Sequence, residues 1–179
     1  MSIQVFILSR LMVEKTYPYK LKKQMTEPIP LDELGGITES KLYYHFDALA
    51  KKGLIEPVEV IKEEHRPDKQ VFEITTKGKE ELPKKIYQLF KSANDINDIV
   101  IGLANLKYVD PEKVVALLNA RLAEYKAHWD RIMNFENTSK RDRKSENLNE
   151  LLVGYFTTKS DHTIYWLEEA IIQIEQGNL

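Results

Sequence analysis

The chain has 179 residues, of which 42% are apolar, enough to bury a sizeable core in one or two domains. It contains no cysteine, which excludes disulfides, thiol catalysis and cysteine-based zinc sites. The net charge of -2 does not by itself indicate nucleic-acid binding, although residues 1–91 carry 16 basic and 14 acidic side chains and residues 92–179 carry 10 and 14. The apolar start of the chain lacks the features of a signal peptide or membrane span, so a cytoplasmic protein with no membrane partner is expected.

Two helices are predicted in the first 30 residues. Residues 2–14 carry a broad apolar face, which is typical of a buried helix. Pro18 suits the first turn of a second helix, which contains Tyr19 and ends before the prolines at 28 and 30. A glycine-containing link then leads to a third helix.

The stretch from Ile37 to Ile55 predicts a third helix with two different faces. Thr38 suits its N-cap, and Gly53 suits the left-handed residue that follows its last turn. The apolar face carries Leu42, Phe46 and Leu49 at helical spacing. The opposite face carries Ser40, Tyr44, Ala48 and Lys51, and Lys41, Tyr43 and Lys52 lie on its flanks. Such a face can read a DNA groove, but cations near the C-terminus of any amphipathic helix are also ordinary.

After Gly53 the apolar period changes from helical to alternating. Two short β-rich runs, around residues 58–61 and 71–74, flank a turn and predict a hairpin. A hairpin after three helices of this kind predicts a winged helix-turn-helix. Arg66 and Lys69 lie where the wing would contact phosphate or enter the minor groove, unless they are simply solvated.

Residues 75–91 predict a helix that is interrupted at Pro83, with a short first piece and a restart or kink. A polar joint at residues 92–98 predicts a domain boundary. The expected domains are a winged helix-turn-helix over 1–91 and a helical dimerisation and effector-sensing domain over 92–179. The fold class is therefore mainly α with a small β-hairpin wing.

Two long helices are predicted in the C-terminal part, from Asp110 and over about 148–174, joined by a charged connection at 136–147. Their apolar faces are too wide to be buried by each other alone, so a second copy of the chain is the expected partner. The predicted dimerisation residues are Leu118, Leu122, Tyr125, Trp129, Tyr155, Trp166, Leu167 and Ile171. Part of the aromatic set, namely Tyr125, Trp129, Tyr155 and Trp166, is alternatively a pocket for a planar, aromatic effector.

No catalytic pattern is recognisable in the sequence. The histidines at 45, 65, 128 and 162 lack metal-ligand spacing, and there is neither a glycine-rich phosphate loop nor a nucleophile elbow. We therefore expect no enzyme activity, no cofactor and no bound metal.

Four segments together resemble the PadR family of bacterial transcriptional regulators, in its longer subgroup. They are PYKLKK around Tyr19, SKLYYHFDALAKKGLI in the third helix, FEITTKG after the wing, and the late Trp166-Leu167-Glu168. Pro18, Phe72 and Gly102 depart from the residues common at those positions in the family.

The resemblance implies a homodimeric winged-helix regulator, usually a repressor, that is sometimes released from DNA by a phenolic or drug-like compound. A two-fold dimer favours a pseudo-palindromic operator in double-stranded DNA, with half-sites roughly 34 Å apart. The alternative is a winged helix used for protein interaction without a physiological DNA role, which the weak net charge motivates.

Overall fold

A computed structural model describes residues 2–24, 38–62, 68–138 and 146–179. The N-terminal elements are α1 (Ser2–Leu11), α2 (Pro18–Gln24), α3 (Glu39–Lys51), β1 (Ile55–Ile61), β2 (Lys69–Ile74) and α4 (Thr76–Lys91). They are followed by α5 (Ile96–Leu103), a short 3-10 helix (Leu106–Tyr108), α6 (Pro111–Thr138) and α7 (Glu146–Glu175). The fold is mainly helical with one antiparallel hairpin, as the sequence predicts.

Helix α1 lies at the centre of the N-terminal part. Val5, Ile7 and Leu8 are fully buried, and the helix packs against α3, α4, α5 and β2. After α1 the chain is fastened to the hairpin by two backbone hydrogen bonds, from the Thr16 amide to the Phe72 carbonyl (3.1 Å) and from the Phe72 amide to the Thr16 carbonyl (2.8 Å). This bridge fixes the start of α2 beside β2.

Helix α3 has the boundaries and the buried face that the sequence predicts. The Thr38 side chain accepts a hydrogen bond from the Lys41 amide at 3.4 Å, and Gly53 adopts a positive φ of 66° just after the helix. The apolar stripe is buried, with Leu42, Phe46 and Leu49 no more than 1% exposed. The opposite face is therefore directed away from the core.

The hairpin pairs β1 with β2 in the register Ile55↔Ile74, with an irregularity between Pro57 and Glu59. Most of β1 is exposed, whereas Val71, Phe72 and Ile74 of β2 are buried, and the last two belong to the core. The predicted wing residue Arg66 and the histidine at 65 lie outside the described residues.

Helix α4 corrects one of the two alternatives predicted for Pro83, a restart of the helix. A single helix runs from Thr76 to Lys91 with Pro83 inside it, so the chain does not restart there. Leu82 and Ile86 on either side of Pro83 are 1% and 0% exposed, and this burial stabilises the helix across the hydrogen bond that proline cannot donate.

One apolar core extends across the predicted boundary at 92–98. It includes Phe90 of α4, Ile99 of α5 and Leu118 of α6, and all three are fully buried. Gly102 allows this packing, because a Cβ there would lie 2.9 Å from the Phe90 ring. The two parts of the chain therefore share a core, and the proposed division into domains does not coincide with a gap in packing.

Four of the predicted dimerisation residues lie in this core of the single chain. Leu118, Leu122, Leu167 and Ile171 are at most 7% exposed. They pack where the first part of α6 meets the last part of α7, so little of their surface is left for a partner.

The rest of the two long helices forms a protruding pair, here called the helical arm and defined as residues 123–138 and 146–159. None of the arm residues whose burial is described is buried. Helical structure extends through Thr138 and resumes at Glu146, so the predicted charged connection is shorter than 136–147. Within the described ranges, none of the helices combines the length and apolar character needed to cross a lipid bilayer.

Candidate nucleic-acid interface

The end of α3 is fixed to the start of α4 by the segment that follows the wing. The Thr75 hydroxyl donates to the Gly53 carbonyl at 2.8 Å and accepts from the Gly78 amide at 3.1 Å. The Lys77 ammonium donates to the Lys52 carbonyl at 2.8 Å. A Cβ at Gly78 would lie only 2.0 Å from the Leu54 carbonyl oxygen, so only glycine permits this approach. These contacts position α3 relative to the hairpin.

The outer face of α3 presents the side chains that the sequence predicts for DNA contact. Ser40, Lys41 and Lys51 are exposed, and Tyr43 and Tyr44 are 47% and 67% exposed. Large exposed aromatic side chains together with lysines can contact bases and phosphates.

Residues of α2 and β2 extend this face. Tyr19 is 42% exposed, and the Lys23 ammonium lies 5.2 Å from its ring centroid. Lys69, at the start of β2, is half-buried, and its ammonium lies 5.6 Å from the ring centroid of Tyr17. The face thus combines α2, α3 and the base of the wing, which is the surface that a winged helix uses for DNA.

Two residues of this surface were missed from the sequence. Asp47 is exposed on α3, four residues after Tyr43 and seven after Ser40, so helical spacing alone could have placed it on the same face. Tyr17 precedes α2, and its position beside Lys69 depends on the bridge between Thr16 and Phe72, which no local pattern indicates.

A polar contact on the inner side of α3 joins three helices. The Gln4 side chain of α1 lies 3.4 Å from Nδ1 of His45 and accepts a hydrogen bond at 2.9 Å from the Lys85 ammonium of α4. Burial lowers the pKa of His45, and the nearby Lys41 lowers it further. Burial also lowers the pKa of Lys85. His45 is therefore a structural histidine in this site.

The aromatic residues predicted for an effector pocket are divided between two groups. Tyr125, Trp129 and Tyr155 belong to a chain of ring contacts on the arm that runs through Phe156, with centroid distances of 5.2 to 6.2 Å. Trp166 instead contacts Tyr165 at 5.2 Å. A cavity of about 170 Å³ beside Trp129 is lined by Thr157, Ser160 and neighbours from α6 and α7, but not by the other three predicted residues.

The part of the chain that the structure describes contains no group of three or more His, Asp or Glu side chains placed to hold a metal ion. The chemistry on the outer face of α3 is that of hydrogen bonding, stacking and charge, without a nucleophile and base in contact.

The fold and this face define a winged-helix transcriptional regulator. Residues 7–84 match the Transcriptional regulator PadR-like family, which confirms the resemblance seen in the sequence. Regulators of this family are not enzymes, which agrees with the prediction for this chain. No curated protein matches the chain.

Several solved structures are similar to the chain at low identity. Bacillus subtilis PadR in complex with operator DNA is 16% identical, with 97% of this chain and 99% of that chain covered and a TM-score of 0.42. Bacillus subtilis PadR in complex with p-coumaric acid is 17% identical over 98% and 99%, with a TM-score of 0.36. A PadR family transcription regulator from Clostridium difficile R20291 is 22% identical over 49% and 86%, with a TM-score of 0.40. None of these overlays is close enough to transfer a contact to this chain.

Proposed function

We propose that this transcriptional regulator is a homodimeric repressor that inserts α3 into the major groove of double-stranded DNA. The observation that supports the proposal is the outer face of α3, where two large tyrosines and two lysines are exposed on a helix whose C-terminal end is fixed to the start of α4. A helix presented in this way can approach base edges while its neighbours contact the backbone.

The roles of the side chains follow from their places on this surface. Ser40, Lys41, Tyr43 and Tyr44 lie in the first two turns of α3 and approach bases and the nearby backbone. Tyr19, Lys51, Lys69 and Arg66 contact phosphates on either side of the groove. The proposed role of Arg66 rests on the sequence alone.

Dimerisation is proposed to use the arm and the exposed aromatic residues next to it. Leu148, Leu151 and Tyr155 are 57%, 68% and 57% exposed, and Trp166 is 41% exposed. Two helices that contact only each other bury too little apolar surface to be stable in water. A second copy of the chain that packs against the arm would cover these exposed apolar side chains. Tyr125 and Trp129 lie on the same arm. Residues 1–91 then bind DNA and residues 92–179 form the dimer.

A small aromatic effector is part of the proposal. The indole N–H of Trp129 is buried and has no acceptor within the described ranges, and it lies beside the cavity of about 170 Å³. A cavity near 150 Å³ accommodates one benzene-sized ring. A phenol or aromatic acid whose oxygen accepts from Trp129 would fit, and binding between α6 and α7 would alter the geometry of the dimer.

Footprinting on the promoter next to the protein's own gene tests the proposal. A repressor dimer is expected to protect a site with dyad symmetry and half-sites about one helical turn apart. A protected site without dyad symmetry would contradict the dimeric geometry. Failure to bind any duplex at low salt would instead favour the protein-interaction module.

A further inference from the structure

A pocket of about 590 Å³ lies between α2, α3 and the start of β2, beside the proposed DNA-contacting face. Its volume is in the range of small-molecule sites, which is roughly 300–1,000 Å³. The floor consists of Phe46 and Phe72, which are 1% and 5% exposed and whose rings lie 5.2 Å apart. Because the floor belongs to the core and Phe72 is bridged to Thr16, the pocket does not depend on a ligand for its shape.

Tyrosine rings and carboxylates form the walls of the pocket. Tyr17, Tyr19 and Tyr43 line it together with the carboxylates of Asp47 and Asp68. Neither carboxylate forms a salt bridge with another residue in the described ranges. Tyrosine faces attract cations, and carboxylates add to that attraction.

Two of these tyrosine rings already lie close to ammonium groups of the chain itself. The ammonium groups of Lys23 and Lys69 lie 5.2 and 5.6 Å from the ring centroids of Tyr19 and Tyr17. Among the described lining residues, Lys69 adds one ammonium to the two carboxylates.

We propose that this pocket binds an organic ammonium compound with an apolar ring, and that this ligand and DNA exclude each other. The ring would rest on Phe46 and Phe72, and the ammonium would lie between the tyrosines and the two carboxylates. The exclusion rests on the function proposed above, because Tyr19, Tyr43 and Lys69 belong both to the pocket and to the proposed DNA contacts. The binding itself does not rest on that function.

The first test is calorimetric titration of the full chain, without DNA, with benzyltrimethylammonium, benzyl alcohol and benzoate as cationic, neutral and anionic probes. The cation is expected to bind saturably, and any binding of benzyl alcohol or benzoate at the cavity beside Trp129 is expected to be the same in the wild type and in the pocket variants. Asp47→Asn and Tyr43→Leu change exposed side chains, so they should fold normally, and each is expected to weaken cation binding about two- to fivefold. Glu80→Gln removes an exposed carboxylate of α4, away from the pocket, and should leave binding unchanged.

No saturable binding of the cation, cation binding that is insensitive to both pocket variants, or an equal loss of benzoate binding in those variants would overturn the proposed site. The second test adds the cation to a complex of the protein with its operator DNA, and DNA release is expected. Binding of the cation without DNA release would overturn the exclusion. If no duplex DNA binds at all while the cation does, the proposed function fails and the ammonium site remains.

Discussion

At the scale of single residues, Thr75 shows how the segment after the wing positions α3. Its hydroxyl makes two hydrogen bonds, one to the Gly53 carbonyl and one from the Gly78 amide, and thereby joins the end of α3 to the N-terminus of α4. Thr75→Val keeps the shape of the side chain and removes both bonds. We expect the free energy of unfolding to fall by about 1–2 kcal/mol, the usual cost of losing an N-cap.

Urea denaturation of the wild type and the variant measures this loss. Thr75→Ser retains the hydroxyl and is the matched control, with an expected change within about 0.5 kcal/mol. Equal stability of Thr75→Val and Thr75→Ser would show that the hydroxyl does not hold the two helices together.

His45 predicts a dependence of stability on pH. Because burial lowers its pKa below the ordinary value of 6.5, the unfolded chain takes up a proton more readily than the folded chain. His45 therefore costs no stability above pH 6.5 and destabilises the fold progressively as the pH falls from 6.5 through the lowered pKa. Thermal unfolding of His45→Gln between pH 7.5 and 5 should show a weaker decline than the wild type.

His128→Gln, which replaces an exposed histidine of α6, is the matched control for the same substitution at an exposed position. If His45→Gln and the wild type decline in parallel, the burial of His45 makes no contribution to the pH dependence.

At the scale of elements, α3 is the part of the molecule that the sequence predicts most completely. Its N-cap at Thr38, its buried stripe and its final Gly53 are all local signals, and each is confirmed. The contact from Gln4 to His45 joins residues 41 positions apart, so no pattern within α3 indicates it. At Pro83 the local signal misleads, because the burial of Leu82 and Ile86 stabilises a helix that proline alone would be expected to interrupt.

The two lysines at the ends of the proposed DNA surface are expected to act differently. Lys41 lies in the first turn of α3, so Lys41→Ala should change the preference among operator variants by about 1–3 kcal/mol if it contacts a base edge. Lys69→Ala, in the wing, should weaken binding to all sequences alike and reduce the salt dependence by about one phosphate contact.

Fluorescence anisotropy with a panel of operator variants distinguishes the two effects. Lys91→Ala, at the exposed end of α4, should bind every duplex as the wild type does. A uniform loss in Lys41→Ala, equal to that of Lys69→Ala, would reassign Lys41 to a phosphate contact.

At the scale of the whole molecule, each of the two long C-terminal helices has one part in the core and one part in the exposed helical arm. The sequence predicts both helices from their apolar spacing, but spacing alone cannot separate residues that face the chain's own core from those that remain exposed. Leu167 is fully buried and its neighbour Trp166 is 41% exposed, although both carry large apolar side chains. Only the packing of α7 against the rest of the chain decides between them.

These neighbours give a matched pair of variants for the proposed dimer. Trp166→Ala should leave the stability of the protomer nearly unchanged and raise the dimer dissociation constant at least about tenfold, because it removes a large aromatic side chain from the interface. Leu167→Ala should instead lower the free energy of unfolding by about 2–5 kcal/mol through a core cavity. Sedimentation equilibrium and denaturation measure the two effects. A Trp166→Ala protein with unchanged self-association would exclude this position from the dimer interface.

The salt dependence of duplex binding tests the central claim, that the outer face of α3 and the adjoining lysines bind DNA, most directly. Anisotropy titrations of labelled duplex between about 50 and 200 mM salt should give affinities that fall linearly on a log–log plot, with a slope of about −0.9 for each phosphate contacted. A Lys41→Ala, Lys69→Ala double variant should have a shallower slope than the wild type. Absence of duplex binding at the lowest salt, or a slope near zero, would contradict the claim.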